Sequence, residues 1–256
     1  MRGSFKGVAA LFFFGVLLVG QACYAETVRI IAEDDWYPYS AKNDGGPQGI
    51  GVDIVRAAFQ AEGVEVEFDV MNYDRGMELV REGKSVGCFD APRTSEIEEV
   101  YLWHDKPLFS AVGLFYAVSS FQGRINGLED VVGKKVGFTQ GYGYGNAVDL
   151  DTGMIKEYSI NDKTLIRKLL AKRLDFIVLF DKVADYLLPQ QGAGGQVEPV
   201  GNAGTIDIYL AFSRNHLDGK RFRDVFSRGM SKIEADGSYQ KIMSEWDTRL
   251  KRTERE

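Results

Sequence analysis

The 256-residue chain contains few of the residues that most often build metal and redox sites. Its two histidines, His104 and His216, lie far apart and have no further nitrogen or thiolate ligand near them in sequence. Zinc sites place three or four such ligands in one cluster, so we expect no metal ion and no other cofactor. Of the two cysteines, Cys88 lies in an apolar run typical of a buried strand. It has no disulfide partner if Cys23 is lost with an N-terminal signal.

The chain also lacks a hydrophobic run that would cross a bilayer as a helix, which takes about 20 apolar residues. The run Val8 to Val19 is shorter; two basic residues precede it and small residues follow it. This pattern is typical of a secretory signal peptide, here residues 1–25, with cleavage after Ala25. We therefore expect a periplasmic protein. A lipoprotein anchored through Cys23 is the less favoured alternative.

Basic residues are in deficit, with 31 Lys and Arg against 37 Asp and Glu and a net charge of −6. Loss of the signal peptide, which carries basic residues and no acidic ones, makes the charge more negative. Nucleic acids are polyanions that attract basic surfaces, so a nucleic-acid partner is disfavoured. The 45% of hydrophobic residues is ordinary for a globular protein with packed cores.

Strand and helix patterns alternate after the signal peptide. Thr27 to Ala32 and Val64 to Val70 have the alternation of apolar and polar residues that is typical of strands. Apolar residues recur at helical spacing between Ile54 and Phe59, and Tyr73 to Glu82 forms a second helical pattern. Alternating strands and helices predict an α/β fold whose sheet is open and mostly parallel.

The alternation restarts after an extended run, Val112 to Val118. A helix is predicted to start at Asn161 or Asp162 and a strand to cover Leu174 to Phe180, before a second extended run from Ile206 to Phe212. Two amphipathic helices end the chain. This organisation predicts two lobes, each with an open sheet flanked by helices, joined by a hinge of two crossing strands. The predicted segments are the signal peptide (1–25), the first part of lobe 1 (26–117), lobe 2 (118–205), and a return strand with C-terminal helices that complete lobe 1 (206–256).

Several short motifs occur in a fixed order along this chain. They are Trp36–Tyr39 (WYPY), Gly49–Val55 (GIGVDIV), Gly133–Gly137 (GKKVG), Arg173–Phe176 (RLDF), and Asp236–Ile242 (DGSYQKI) followed by Trp246. In this order they resemble the bacterial extracellular solute-binding proteins of family 3, the amino-acid receptors of ABC importers. The resemblance implies a type II periplasmic-binding-protein fold, a monomer, and a small ligand such as an amino acid or related amine. It also implies an ABC permease as membrane partner and a binding role rather than an enzymatic one.

The resemblance also implies a ligand site. In that family an aromatic face, an arginine on the carboxylate and an aspartate on the ammonium hold an amino acid. Trp36 falls on the stacking aromatic, with Tyr37 beside it, and Glu33 falls on an acidic position that contacts the side chain of basic amino acids. Asp181 falls on the ammonium-binding aspartate, at the end of a predicted strand, where ligands bind in open α/β sheets. A plain helix N-cap is the alternative interpretation of Asp181.

The carboxylate-binding part departs from the family pattern. Ile97 stands where the arginine is expected, and Tyr142 and Gly143 replace the usual hydroxyl residues. Our first hypothesis is that Arg93 takes over the arginine's role. The backbone N–H groups of the loop from Gly141 to Gly145 would then help to bind the carboxylate.

The second hypothesis is an acidic cleft, formed by Glu33, Asp90 and Asp181, for a cationic ligand such as a basic amino acid or a polyamine. Two other functions stay open. One is a periplasmic enzyme of the same fold, such as a dehydratase that uses these carboxyl groups as general acids. The other is a sensor that reports its ligand to a membrane signalling partner. A nucleotide site is disfavoured, because the Gly141–Gly145 loop lacks the glycine spacing of dinucleotide-binding loops.

Overall fold

The computed structural model describes residues 26–253. The predicted signal peptide, residues 1–25, and its Cys23 lie outside this range. Within it, none of the helices combines the length and the apolar composition needed to cross a membrane.

The first part of the chain folds into short antiparallel strands and into β-α units. Its elements are β1 (Glu26–Glu33), β2 (Asp35–Trp36), β3 (Ser40–Asn43), β4 (Gly46–Gln48), α1 (Ile50–Gln60), β5 (Val64–Met71), α2 (Tyr73–Arg81), β6 (Gly87–Pro92), β7 (Tyr101–Leu102) and β8 (Phe109–Val118). The strands β1, β5 and β6 pair in parallel, as the alternation of strand and helix predicts.

The second part begins with a short 3₁₀ helix, Leu128–Val131. It continues with β9 (Lys135–Thr139), α3 (Asn146–Asp149), β10 (Ile155–Ser159), α4 (Asp162–Leu170), β11 (Phe176–Phe180), α5 (Asp181–Gln190), β12 (Val197–Ser213), α6 (Gly219–Ala235) and α7 (Ser238–Thr253). The strand predicted over Leu174–Phe180 is two residues shorter at its start, and the second extended run is part of the much longer β12.

Two long strands form the hinge. The strands β8 and β12 are antiparallel, from Val118 opposite Val197 to Phe109 opposite Ile208. They join the two lobes into one nine-stranded sheet with the order β10-β9-β11-β8-β12-β6-β1-β5, and β7 pairs with β12 beside this path. The mixed α/β fold with crossing hinge strands is therefore confirmed. The residue boundaries of the lobes stay a prediction, because the sheet continues from one lobe into the other.

Each lobe has its own apolar packing on the sheet. In lobe 1, Phe59 of α1 packs against Phe226 of α6, with ring centroids 5.1 Å apart, and Ile30 of β1 is fully buried. In lobe 2, Ile166 of α4 and Ile177 of β11 are both completely buried. Burial of one such side chain contributes about 1.5–3 kcal/mol. These cores make each lobe a rigid support for the loops at the cleft.

Side-chain caps start the two helices that border the cleft. The Asn72 and Asn161 side chains each accept a hydrogen bond from a backbone N–H in the first turn of α2 and α4. The predicted helix start at Asn161 or Asp162 is confirmed. As a result the first residue of each helix, Tyr73 or Asp162, is buried immediately beyond a strand.

Candidate functional site

A cavity between the two lobes lies where strands of both lobes end. Glu33 is the last residue of β1, Asp90 lies in β6, Phe180 ends β11, and Tyr142 follows β9. Ligands of open α/β sheets bind beyond the carboxyl ends of strands, so this position marks the candidate site. We call it the inner cavity. Its lining residues are Glu33, Trp36, Tyr73, Asp90, Pro92, Tyr142, Gly143, Phe180, Ile206 and Ile208.

The inner cavity is narrow because Tyr142 reaches across it from lobe 2 to lobe 1. The Tyr142 hydroxyl donates a hydrogen bond to Oε1 of Glu33. The space that remains is about 10 Å³, close to the minimum that a single water molecule needs. A larger ligand therefore gains access only if the lobes separate or the Tyr142 side chain turns away.

Glycines in the loop that carries Tyr142 allow the lobes to approach this closely. A Cβ atom at Gly141 would lie 2.0 Å from Oδ1 of Asp74, and one at Gly143 would lie 3.0 Å from Cγ of Pro92. Gly141 also has a φ of 82°, a conformation that glycine adopts without steric strain. The loop is therefore built for contact with lobe 1.

Two ion pairs connect the lobes outside the inner cavity. Nζ of Lys163 lies 2.8 Å from Oδ1 of Asp35, and Nζ of Lys182 lies 3.1 Å from Oδ1 of Asp247. All four side chains are substantially exposed, so each pair contributes about 0–1 kcal/mol. Together with the Tyr142 hydrogen bond, they hold the lobes in contact.

Aromatic rings form one wall of the inner cavity. Trp36 is buried, and its ring centroid lies 5.2 Å from that of Phe180 and 6.0 Å from that of Tyr142. The Tyr73 ring meets the Tyr142 ring edge to face, with 6.3 Å between centroids. The face of an aromatic ring attracts a cation within about 6 Å of its centre. This wall suits both an alkyl chain and a positively charged group.

Three buried carboxyl groups lie in or beside the inner cavity. Glu33 and Asp90 are each 4% exposed and line it, while Asp162 is 6% exposed at the start of α4. Burial raises the pKa of Glu33, and the nearby charge of Asp90 raises it further. Burial also raises the pKa of Asp90 above its usual range, and that of Asp162 to about 6. Among the side chains described between residues 26 and 250, no Lys or Arg is buried.

Asp90 has the least satisfied carboxyl group of the site. Neither of its oxygens has a hydrogen-bond partner, and the nearby Ser40 hydroxyl donates instead to the backbone carbonyl of Glu33, at 2.7 Å. Asp90 also has a φ of 71°, in the left-handed region where residues other than glycine are uncommon and often functional. The buried Nε1 of Trp36 likewise lacks an acceptor. Because buried polar atoms are nearly always hydrogen-bonded, these groups are available to a ligand.

A larger space continues from the inner cavity towards the solvent, and we call it the outer cavity. It holds about 460 Å³ and shares Tyr73, Pro92, Tyr142 and Gly143 with the inner cavity. Four acidic residues line it, and its lining includes no Lys or Arg among the described residues. The acidic residues are Asp74, Glu78, Glu96 and Asp149. A cleft with one sign of charge concentrates ligands of the opposite sign.

The structure brings five of the predicted site residues together around the inner cavity. They are Glu33, Trp36, Asp90, Tyr142 and Gly143. Trp36 and Asp90 thus lie where a ligand contact requires them, although that contact itself stays a prediction. Tyr144, in the same loop as Tyr142 and Gly143, is 3% exposed and stacks on Phe180.

Two further predicted residues, Tyr37 and Asp181, lie outside the lining of the inner cavity. The Tyr37 ring packs 4.1 Å from the Tyr186 ring, at another contact between the lobes. Oδ1 of Asp181 accepts the backbone N–H of Lys182 at 2.7 Å in the first turn of α5. Asp181 is the first residue of that helix rather than its N-cap, which is Phe180.

Arg93 also lies apart from the inner cavity. Its Nε and Nη2 atoms donate to the two carboxylate oxygens of Glu98 at 2.7 and 2.5 Å, and its guanidinium lies 6.0 Å from the centre of the Tyr209 ring. These three residues line a separate groove. Ile97, which stands at the expected arginine position, lines the outer cavity. Position 97 thus carries no guanidinium, and the guanidinium of Arg93 does not line the cavity that contains Asp90.

The sequence did not single out several residues that line the inner cavity. Tyr73 starts a helix directly after a strand, and Phe180 ends a strand, so their positions at strand ends were a usable signal. Ile206 and Ile208 lie two apart in β12 and therefore face the same side. Nothing in their sequence distinguishes them from ordinary core residues. The crossing of the hinge strands determines which face of β12 lines the inner cavity.

Among the described residues, no histidine or cysteine side chain lines the inner or the outer cavity. Nε2 of His104 accepts the backbone N–H of Leu210 at 3.0 Å, and burial lowers the pKa of His104 to about 3. Cys88 is a buried free thiol whose pKa is raised by burial, so the predicted buried thiol is confirmed. Between residues 26 and 250, no group of three His, Cys, Asp or Glu is placed to hold a metal ion.

Two lobes that share one sheet through crossing strands and enclose a lined cavity at that crossing define a type II periplasmic-binding-protein fold. The model of the family "Bacterial extracellular solute-binding proteins, family 3" matches residues 28–249. The chain belongs to this family. A search of curated protein sequences gave no match.

Solved structures share the fold at low sequence identity. A histidine kinase sensor domain with similarity to periplasmic binding proteins has a TM-score of 0.76 and 18% identity, over 86% of this chain and 95% of that one. An ancestral arginine-binding protein bound to glutamine has a TM-score of 0.72 and 24% identity, over 86% and 97%. The arginine-, lysine-, histidine-binding protein ArtJ from Geobacillus stearothermophilus has a TM-score of 0.73 and 18% identity, over 88% and 100%. At these identities the likeness establishes the fold alone.

Proposed function

We propose that this chain is a periplasmic receptor that captures a small amine-bearing ligand, an amino acid or a relative, and delivers it to an ABC importer. One observation carries the proposal: the unpartnered, buried carboxyl group of Asp90 lines a cavity between two lobes that meet at a hinge. A buried charge without a partner is costly. An ammonium group of the ligand would supply the missing charge and the missing hydrogen-bond donors.

The expected mechanism is closure about the hinge strands. When the lobes separate, Tyr142 leaves Glu33 and the acidic cavity opens to solvent. A ligand that binds both lobes then shifts the equilibrium towards the closed form, because it contacts more groups there than in the open form. A membrane permease that recognises the closed form receives the ligand.

Ligand screening tests this proposal directly. The protein without residues 1–25 is screened for thermal stabilisation by amino acids, amines and small organic acids, because a ligand that binds only the folded state raises the melting temperature. X-ray scattering is then recorded with and without the best compound. A compound that stabilises the protein and makes it more compact supports the proposal. Stabilisation with unchanged compactness contradicts closure, and the absence of any stabilising amine contradicts the ligand class.

A sensor for a membrane signalling protein is the second candidate. The observation that favours it is the similarity to a histidine kinase sensor domain, at a TM-score of 0.76. Uptake of the identified ligand separates the two functions. If the protein is a component of an importer, cells that lack it lose uptake of the ligand. If it is a sensor, cells that lack it keep uptake but lose a ligand-dependent transcriptional response.

Binding is favoured over catalysis for the same cavity. Two of the similar solved structures are described as amino-acid-binding proteins, and the family is one of solute-binding proteins. The dehydratase alternative makes a distinct prediction: purified protein would turn over prephenate or arogenate. Binding without turnover supports the receptor.

A further inference from the structure

Neither cavity offers a positive charge to a ligand carboxylate. The residues that line the inner and outer cavities include two and four acidic side chains and, among the described residues, no Lys or Arg. The nearest candidate from the sequence, Arg93, binds both carboxylate oxygens of Glu98 through Nε and Nη2 and lines a separate groove. A carboxylate placed in the inner cavity would lie close to Glu33 and Asp90 and would be repelled by both.

Three backbone N–H groups of the loop expected to bind an anion are also occupied. The N–H groups of Tyr144 and Gly145, in the loop expected to hold an anion, donate to the Asp149 carboxylate at 3.0 Å. The N–H of Tyr142 donates to the carbonyl of Thr139 at 3.3 Å. A loop of backbone N–H groups can cradle an anion, but here a side chain of the same chain already fills that role.

The carboxyl groups and ring faces of the inner cavity suit a cation, while Nε1–H of Trp36 stays a donor for a neutral acceptor. Asp90 provides two buried acceptors without partners. Glu33 provides a carboxyl group that accepts a hydrogen bond from the Tyr142 hydroxyl. The rings of Trp36 and Phe180 add faces that attract positive charge. Towards the solvent, Tyr73, Pro92, Tyr142 and Gly143 line both the inner cavity and the acidic outer cavity.

We infer that the ligand is an organic amine without a carboxylate, of the alkyl diamine or polyamine class, with one ammonium at Asp90 and a second in the outer cavity. This inference rests on the proposed receptor function and narrows its ligand. The alkyl part of such a ligand matches the apolar contacts of Pro92, Ile206 and Ile208. Its second charge matches Asp74 and Glu96 of the outer cavity, because Glu78 already pairs with Arg81 and the Asp149 carboxylate accepts backbone N–H groups.

Pairs of compounds that differ by one carboxylate test the inference on the unmodified protein. Lysine is compared with cadaverine, ornithine with putrescine, and arginine with agmatine, by calorimetry at constant pH and salt. We expect the decarboxylated member of at least one pair to bind at least 10-fold more tightly than its amino acid. Tighter binding of the amino acid in every pair that binds overturns the inference and leaves the receptor function standing. If no member of any pair binds, the inference and the proposed amine receptor both fail.

A variant of Arg93 gives a second test on the same compounds. If Arg93 anchors a carboxylate, Arg93→Ala weakens the amino acids selectively and leaves the amines unchanged. We expect instead that Arg93→Ala changes the affinity of both members of each pair by less than threefold. A selective loss of 10-fold or more for the amino acids would restore a carboxylate site and overturn the inference. Circular dichroism and the melting temperature verify that the variant is folded.

Discussion

Acidic side chains at the edges of the lobes and those in the inner cavity lie in opposite environments. At the edge of lobe 1, Glu62 is paired with Lys232 and Arg228, and their hydrogen bonds and charges lower its pKa. Glu33 and Asp90 have no basic partner among the described residues, and burial raises the pKa of both. Glu62 thus has basic partners within the protein. Glu33 and Asp90 have none among the described residues.

This difference distinguishes carboxyl groups that stabilise the fold, such as Glu62, from those that we propose bind a ligand, Glu33 and Asp90. A carboxyl group whose pKa is raised on folding makes the folded state less stable at pH values above the unfolded pKa. The cavity acids therefore act against stability in the ligand-free protein. A cation in the cavity reverses that effect, because it lowers the pKa of both carboxyl groups and satisfies their oxygens.

Asp90→Asn is expected to have the largest effect. Removal of one partner from a buried charge pair costs about 2–5 kcal/mol, so affinity for the amine should fall by at least about 30-fold. The ligand-free variant should melt at a higher temperature, since the buried charge is gone and asparagine tolerates a positive φ. Calorimetry and thermal unfolding measure the two changes, with the exposed Asp44→Asn as the matched control. Equal losses of affinity in both variants would contradict the special role of Asp90.

Gly141→Ala should hinder closure and weaken binding by a few-fold, because the Asp74 side chain must turn aside before the lobes meet. The new Cβ would lie 2.0 Å from Oδ1 of Asp74 on the opposite lobe, which leaves the closed form accessible only after Asp74 moves. Gly133→Ala is the control: its φ of 71° is similarly strained, but nothing lies within 4 Å of its Cβ position. X-ray scattering should show a more open Gly141→Ala protein. If the two variants bind and scatter alike, the loop contact does not control closure.

The sequence was sufficient for the lobes and for part of the site. The alternation of strand and helix predicted the order of the elements, because parallel strands need crossover helices. The family pattern predicted that Glu33 and Trp36 would lie at the cavity. It also predicted a ligand contact for Asp181, which stays a prediction; its carboxylate accepts a backbone N–H in the first turn of α5.

The contacts between distant segments could not be predicted from the sequence. The hydrogen bond from Tyr142 to Glu33 joins residues of two lobes, and no local pattern encodes how far the lobes close. Arg93 was predicted as a ligand contact because its chemistry was suitable. That contact stays a prediction; in the structure the Arg93 guanidinium binds Glu98, five residues away, and a local hydrogen bond of this kind forms without any ordering of distant parts of the chain.

Acidification should weaken the binding of a cationic ligand. Glu33 and Asp90 have raised pKa values, and burial raises the pKa of the neighbouring Asp162 to about 6. A cation binds the ionised forms, so its affinity should fall by several-fold as the pH drops from about 8 to about 5. The stability of the ligand-free protein should instead rise on acidification. Carboxyl groups with raised pKa values in the folded state favour folding most at pH values below their unfolded pKa, and this contribution is lost as the pH rises through the folded pKa.

Calorimetry across this pH range, in buffers with different ionisation enthalpies, measures both the affinity and the protons released on binding. Asp90→Asn is the internal comparison, since it removes one of the titrating groups. Affinity that is independent of pH, with no proton release in the unmodified protein, would contradict the direct role of these carboxyl groups.

Tyr142→Phe removes the hydrogen bond that joins the lobes in the absence of ligand. We expect the ligand-free variant to be more open by X-ray scattering and the affinity for the amine to change by about threefold to 10-fold, since one hydrogen bond contributes about 0.5–1.5 kcal/mol. Tyr239→Phe is the control, because its hydroxyl donates to the Leu108 carbonyl at 2.8 Å within lobe 1. A similar change of compactness in both variants would show that the Tyr142 bond has no special influence on closure.

The smallest effect is expected from the ion pair between Lys163 and Asp35. Their side chains are 39% and 51% exposed, so solvent screens the pair and it contributes about 0.2–1 kcal/mol. Lys163→Met should therefore weaken ligand binding by less than about fivefold, and 1 M salt should reduce the difference between variant and unmodified protein. Lys84→Met, which removes a pair within lobe 1 at 2.8 Å from Glu82, should leave ligand affinity unchanged. A loss in Lys163→Met as large as that in Asp90→Asn would mean that exposed contacts between the lobes, rather than the buried acids, determine affinity.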